Sequence, residues 1–193
     1  LFNQADNGEK LREGCAICPT RGLCVAQGLT DPILRELSSS VATTAPMNKG
    51  DFLYRTDDRA IGWFVVRSGV YKTITTTADG EEYITGFYYP GEILGLDGSA
   101  TGQFTESAMA LSSATACAVN LDELPRLWSV GAGSSVLRLI AEHDRNGSLL
   151  RINLSQSRAE VRIAGFFKLL MDRTERLGFD PTCLAAPMSR TDL

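Results

Sequence analysis

From about Ala45 to Asp122 the chain consists of short runs of Val, Ile, Thr, Tyr and Phe cut by glycine turns. Runs of this length and composition are strands, and the turn residues between them set where the chain reverses. Asp51 to Arg55 follows Lys49-Gly50, and Trp63 to Arg67 ends at Ser68-Gly69. Tyr71 to Thr77 ends at Asp79-Gly80, a strong hairpin signal. Tyr83 to Tyr89 runs into Pro90-Gly91, and weaker strands follow at Ile93 to Leu96, Thr105 to Leu111 and Ala116 to Leu121. Strands at this regular spacing predict an antiparallel sandwich or jelly-roll barrel.

Outside that stretch the period is helical. Asp31-Pro32 opens a short helix with Asp31 as its predicted N-cap and Ile33, Leu34 and Leu37 on its apolar side. Downstream, Val136, Ile140, His143, Gly147, Leu150 and Leu154 step by three and four along a helix of roughly 20 residues. A stripe like this is covered either by a second copy of the chain or by the barrel itself. After a break at Ser155-Gln156-Ser157, Ser157 and Glu160 form a predicted capping box for a helix carrying Val161, Ala164, Phe167, Leu170 and Met171. That helix is expected to stop at Gly178, ahead of Pro181, with another starting at Ser189 or Thr191.

The chemistry is concentrated in cysteine. Cys15, Cys18 and Cys24 lie within ten residues of one another, and Cys117 lies far downstream in the barrel. The C-x₂-C pair lets one loop present two thiolates to one metal site. Zinc fingers and ribbons place a second close pair of Cys or His downstream, and none is present here, so the spacing favours an iron–sulfur site over zinc. Cys117 is the available fourth ligand; its alternative role is a small buried strand residue. Cys183 reads as a free thiol. The single histidine, His143, lacks a second ligand at metal spacing. An enzyme on a cupin-like barrel needs histidine and carboxylate ligands inside the barrel, and that pattern is missing.

Composition sets the remaining bounds. The chain has 193 residues, 44% hydrophobic and 22% charged, enough for one good-sized domain and part of another. Five cysteines, an odd count, suit a reducing cytosolic setting better than a secreted disulfide framework. No apolar run approaches the ~20 residues of a membrane span. A formal net charge of −4 argues against the whole chain being a nucleic-acid clamp. From Arg158 to Leu193 six Lys/Arg face five Asp/Glu, so no basic surface shows there.

Longer motifs carry a family resemblance. The cysteine segment, Val66-Arg67-Ser68-Gly69, the run Asp79 to Phe87, Pro90-Gly91-Glu92, and Leu154-Ser155-Gln156-Ser157-Arg158-Ala159-Glu160 through Ala164 form one such set. Arg176-Leu177-Gly178-Phe179 and Met188-Ser189-Arg190 complete it. Together these resemble the FNR branch of the Crp/Fnr transcription regulators, the oxygen sensors of facultative bacteria, including the ANR-type proteins. The resemblance implies an α+β fold: an antiparallel β jelly-roll sensor barrel of cyclic-nucleotide-binding type, a long dimerisation helix, and the start of a winged helix-turn-helix domain, cut before its recognition helix. It divides the chain into a cluster-binding arm (1–31), the sensor barrel (32–128), the dimerisation helix (129–156) and an incomplete DNA-binding domain (157–193).

The resemblance also implies a function. Cys15, Cys18, Cys24 and Cys117 would hold a 4Fe–4S cluster whose loss in oxygen shifts a DNA-binding homodimer towards monomer. The partners implied are DNA, a second copy and RNA polymerase, the last through Asp79-Gly80-Glu81, with a cytoplasmic location and no membrane. A cyclic nucleotide is not expected, because Glu106-Ser107 stands where the nucleotide-binding branch has an Arg-Ser or Arg-Thr pair, and a carboxylate repels phosphate. Asp57-Asp58 replaces a Gly-Asp turn that Asp tolerates. The arm is expected to have almost no apolar content of its own, so metal-ligand energy orders it. Leu23 either shields the cluster or packs the arm. The competing function is a zinc-stapled barrel regulator that answers a small molecule.

Overall fold

In the computed structural model, residues 14–178, 180–182 and 187–188 are described. Cys183, the onward helix from Ser189 or Thr191, and Phe179 lie outside them. The elements in chain order are α1 (Asp31–Ser40), β1 (Val41–Thr43), β2 (Phe52–Tyr54), β3 (Gly62–Ser68), β4 (Tyr71–Thr76), β5 (Glu82–Tyr88), β6 (Ile93–Leu94), α2 (Gly98–Thr101), β7 (Ser107–Ala110), β8 (Thr115–Asn120), α3 (Leu124–Ser129), α4 (Gly133–Leu154) and α5 (Ala159–Arg176).

The strands form two antiparallel four-stranded sheets, β1-β8-β3-β6 and β2-β7-β4-β5. Alternation along the strands explains the layers. Phe64 and Val66 of β3, and Ala116 and Ala118 of β8, point between the sheets with Leu53, Tyr54, Tyr71, Leu94, Ala108 and Ala110. Small residues on β7 and β8 leave room for the aromatic rings there. Tyr54 and Phe104 stack with centroids 3.9 Å apart, and Phe64 lies 5.6 Å from Tyr54. The barrel is therefore filled by its own side chains.

β3 is buried on both faces, from Gly62 to Val66. Its other face, Trp63 and Val65, joins Ile93 and Val119 in a second core under the helices: Leu34 and Leu37 of α1, Leu127 of α3, and Val136 and Leu139 of α4. A third core lies on the far sheet, where Phe87 and Tyr89 receive Leu170 of α5, with Phe87 and Phe166 rings 5.5 Å apart. Arg126 of α3 clamps α1: it donates to Ser39 Oγ and Ser40 Oγ, each at 2.9 Å, and pairs with Glu36.

The turns behave as their residues require. Gly80 takes φ +87° and donates to the Thr77 carbonyl at 2.9 Å. Asp57 is left-handed at φ 69°, so the Asp-for-Gly change is accommodated. Gly178 takes φ +79° and donates to the Glu175 carbonyl at 2.9 Å, closing α5.

Two expectations differ from the structure. Thr30, not Asp31, is the N-cap of α1, and Asp31 is its first residue, where its charge still faces the helix dipole. α5 begins after Arg158 with no side-chain cap bond, so the Ser157–Glu160 box does not close. Instead Arg162 Nη1 reaches back to the Gln156 carbonyl at 3.0 Å and satisfies that side of the break. The α4 stripe divides: Val136 is in the core, His143 stacks on Tyr88 with centroids 6.0 Å apart, and Gly147 and Leu150 border a cleft against β5, whereas Ile140 and Leu154 of the same stripe are exposed. The other exposed apolar residues of α4 are Leu137, Leu149 and Ile152.

Candidate metal centre

The cysteine arm lies on the outer face of the β1-β8-β3-β6 sheet. Cys117 sits at the middle of β8, opposite Thr43 of β1 and Val65 of β3. Its neighbours Ala116 and Ala118 point into the barrel, so strand alternation turns Cys117 outward, towards the arm. Cys15, Cys24 and Cys117 all pack against the same core under the helices.

Local bonds hold the arm there. Cys15 opens a single 3₁₀ turn, Cys15–Ile17, and its N–H donates to Ser38 Oγ at 2.9 Å, while that hydroxyl donates to the Leu34 carbonyl at 2.7 Å. Cys18 Sγ and Thr20 Oγ1 are 3.1 Å apart. Cys24 Sγ accepts the Ala26 N–H at 3.4 Å. Arg21 spans the loop, donating to the Ala16 carbonyl at 3.2 Å and the Leu29 carbonyl at 3.3 Å. From α4, Arg138 donates to the Cys24 carbonyl at 2.9 Å.

The arm is less polar than its composition suggests. Val25, Ala26 and Leu29 are buried in the core, which corrects the expectation of an arm without apolar anchors. Their burial fixes residues 25–29, whereas Ile17 remains 70% exposed and the segment carrying Cys15 and Cys18 rests on the few hydrogen bonds above. Leu23 packs the arm: its Cβ and carbonyl abut Gly91 so closely that a Cβ there would come within 2.6 Å.

The thiols influence one another. Burial first, and then the neighbouring Cys15, Cys18 and Cys24, push Cys117 up to about 12, with Arg67 opposing. Burial pushes Cys24 up to about 11, against the Ala26 N–H and Arg138, with Cys15 and Cys18 raising it. Cys15 is also raised, first by burial, against its hydrogen bond with Ser38. All four are free thiols, so no disulfide competes for them. Among the described residues, no three Cys, His, Asp or Glu side chains gather tightly enough to hold one metal ion. A tetrahedral zinc, with Zn–S near 2.3 Å, requires thiolates roughly 3.8 Å apart. A polynuclear cluster spreads its four thiolate ligands more widely. Four thiols in one neighbourhood are the soft donors that zinc or an iron–sulfur cluster takes, and Arg67 and Arg138 oppose the burial that keeps them protonated. Arg67 and Arg138 are the charged neighbours of the thiols that sequence spacing did not point to.

Comparison with known proteins agrees with the architecture. Residues 46–129 match the cyclic nucleotide-binding domain family. The chain is 34% identical over 181 residues to the transcriptional activator protein anr of Pseudomonas aeruginosa, spanning 93% of this chain and 74% of that protein. It is 33% identical over 182 residues to the transcriptional activator protein FnrA of Stutzerimonas stutzeri, with the same coverage. The chain belongs to the Crp/Fnr family of transcription regulators. Among solved Crp/Fnr-like folds, FixK2 from Bradyrhizobium japonicum superimposes with a TM-score of 0.65 at 22% identity, covering 79% of this chain and 74% of that one. The sensor domain of the regulator DNR from Pseudomonas aeruginosa gives 0.55 at 17% identity, over 73% and 93% respectively. These relatives are regulators rather than enzymes. Among the described residues, no helix of this Crp/Fnr protein is long and apolar enough to cross a membrane.

Burial first, and then Glu106, which also borders the cleft between β5 and α4, raise Tyr88 to about 12. The aromatic cluster Tyr54, Phe64 and Phe104 fills the space between the sheets.

Proposed function

We propose that this Crp/Fnr regulator senses oxygen through a 4Fe–4S cluster on Cys15, Cys18, Cys24 and Cys117, and that cluster binding controls dimerisation and DNA binding. The observation that carries the reading is the mutual influence of the three arm thiols and the outward-facing Cys117 of β8, two segments far apart in sequence.

The cluster, when bound, supplies oxygen-sensitive bonds that tie the arm to the sheet. The chain's residues do the rest. Val25, Ala26 and Leu29 anchor the end of the arm, Ser38 and Arg138 orient the main chain at Cys15 and Cys24, and the hydrophobic core keeps water from one side of the thiols. Residues 14–24 carry all three arm thiols, so their ordering is then linked to ligand binding. Arg138 lies on α4 beside Leu137 and Ile140, so arm order bears on the outward face of the same helix.

That outward face, with Leu137, Ile140 and Ile152, is the proposed dimer surface. Within this scheme residues 1–31 are the cluster-binding arm, 32–128 the sensor barrel, 129–156 the dimerisation helix and 157–193 part of the DNA-binding domain. The exposed turn Asp79-Gly80-Glu81 is the proposed contact for RNA polymerase, and the setting is the cytoplasm. The test is iron and acid-labile sulfide in anaerobically purified protein. Four of each per chain are expected, falling to near zero in Cys117→Ser. Stoichiometric zinc without sulfide, or full retention in Cys117→Ser, overturns the assignment.

A further inference from the structure

Glu92 follows the Pro90-Gly91 turn at the end of β5, and four groups from three parts of the chain converge on its carboxylate. Oε2 accepts the Tyr89 N–H at 3.1 Å. Oε1 accepts from Asn146 of α4 at 3.3 Å, and pairs with Arg173 Nε at 3.0 Å and Arg176 Nη2 at 3.4 Å, both on α5. The side chains of Glu92 and Arg173 are each only 14% exposed, unlike the other ion pairs described along the helices. The Arg173 guanidinium also lies over the Tyr89 ring, 5.3 Å from its centroid.

The same turn touches the arm. Gly91 takes φ +89° and lies against the Cβ and carbonyl of Leu23, the residue before Cys24. A cleft of about 280 Å³ runs between the arm, the turn and α5, bordered by Leu23, Tyr89, Arg138, Arg173 and Leu177. Thus the turn is bonded on one side to the helix that opens the last segment and packed on the other against the cysteine loop. A partly buried ion pair that loses one partner strands the remaining charge, so this contact switches rather than fades.

We propose that Glu92 is an interdomain latch: it fixes the C-terminal half of α5 against the barrel, and the Leu23–Gly91 contact makes the latch sensitive to arm order. It supplies a route from the arm to α5 separate from the dimer surface. It deepens the proposed function only in what orders the arm. The latch contacts exist whatever the thiols bind, so a failed iron assay leaves them standing, and a failed latch test leaves the cluster reading standing.

The test is amide hydrogen exchange on the full chain. Glu92→Gln is expected to speed exchange across 170–176 about tenfold, with β3 and β8 unchanged, consistent with losing a charge-assisted contact of this kind. Arg173→Gln, which leaves Glu92 with Tyr89, Asn146 and Arg176, carries the test if Glu92→Gln disturbs the barrel. The double variant is expected to exchange no faster than either single one. Leu23→Gly, which removes the Cβ that meets Gly91, is expected to speed the same segment in the wild-type background and to add nothing in Glu92→Gln. Unchanged exchange at 170–176 in both single variants, or independent multiplication of their effects, overturns the latch. No effect of Leu23→Gly in the wild-type background, or one undiminished in Glu92→Gln, overturns its link to the arm.

Discussion

Arg138, one turn into α4, donates to the main-chain carbonyl of Cys24 at 2.9 Å while its other terminal nitrogen holds Glu142 at 2.9 Å. The cysteine arm and the long helix are therefore joined by a charged donor on a backbone acceptor, and helix and arm move as neighbours.

Replacing Arg138 by Met removes this bond and the positive charge near Cys24. A hydrogen bond from a charged group contributes about 1.5–3 kcal/mol, so the docked arm should lose roughly ten- to a hundredfold in population. Limited proteolysis between residues 14 and 24 reads this directly. Faster cleavage with an intact barrel is the expected result.

The outward face of α4 gives a second prediction. Leu137 is 58% exposed and Ile152 60%, and a charge at either position would lie in the proposed dimer seam. Leu137→Glu and Ile152→Glu should leave the fold intact and shift the protein to monomer by at least tenfold in dissociation constant, measured by analytical ultracentrifugation. The inward side of α4 does not offer the same test, because Val136 and Leu139 belong to the chain's own core.

Glu106→Arg should not create a cyclic-nucleotide site. Tyr54 and Phe104 stack at 3.9 Å and fill the space between the sheets. Isothermal titration with cyclic AMP should give no heat of binding to the wild type or to this variant.

Alkaline stability follows from the tyrosines. Burial raises Tyr71, Tyr88 and Tyr89 to about 12, and raises Tyr54 well above its ordinary 10.0. The folded chain thus holds these phenolic protons more tightly than the unfolded chain does. The resulting stability is fully present below pH 10 and is lost as pH rises through about 12. Tyrosinate absorbance should rise together with loss of secondary structure across that window, not before it.

The strands were readable because alternation and glycine turns are local properties: Asp79-Gly80 and Pro90-Gly91 fall where they were expected. β1 escaped because Val41–Thr43 is a strand only through pairing with Val119 to Cys117, a contact far away in sequence. The α4 stripe was legible as a stripe, but period alone does not say which surface covers it, and here Tyr88 covers His143. The cysteines were legible from spacing; that Cys117 faces out of the barrel follows only from the pairing of β8. Glu92 gave no sequence signal of its role, since Asn146, Arg173 and Arg176 reach it from two helices.

The central claim is that oxygen acts on the chain through the cysteine arm. The most direct measurement follows visible absorbance and molecular mass together as anaerobic protein is exposed to air. A broad visible band that bleaches as dimer falls to monomer, with neither change in Cys117→Ser, which is colourless and monomeric throughout, is the predicted result. A protein colourless from the start under anaerobic conditions, or one whose mass does not change as the band bleaches, would contradict it.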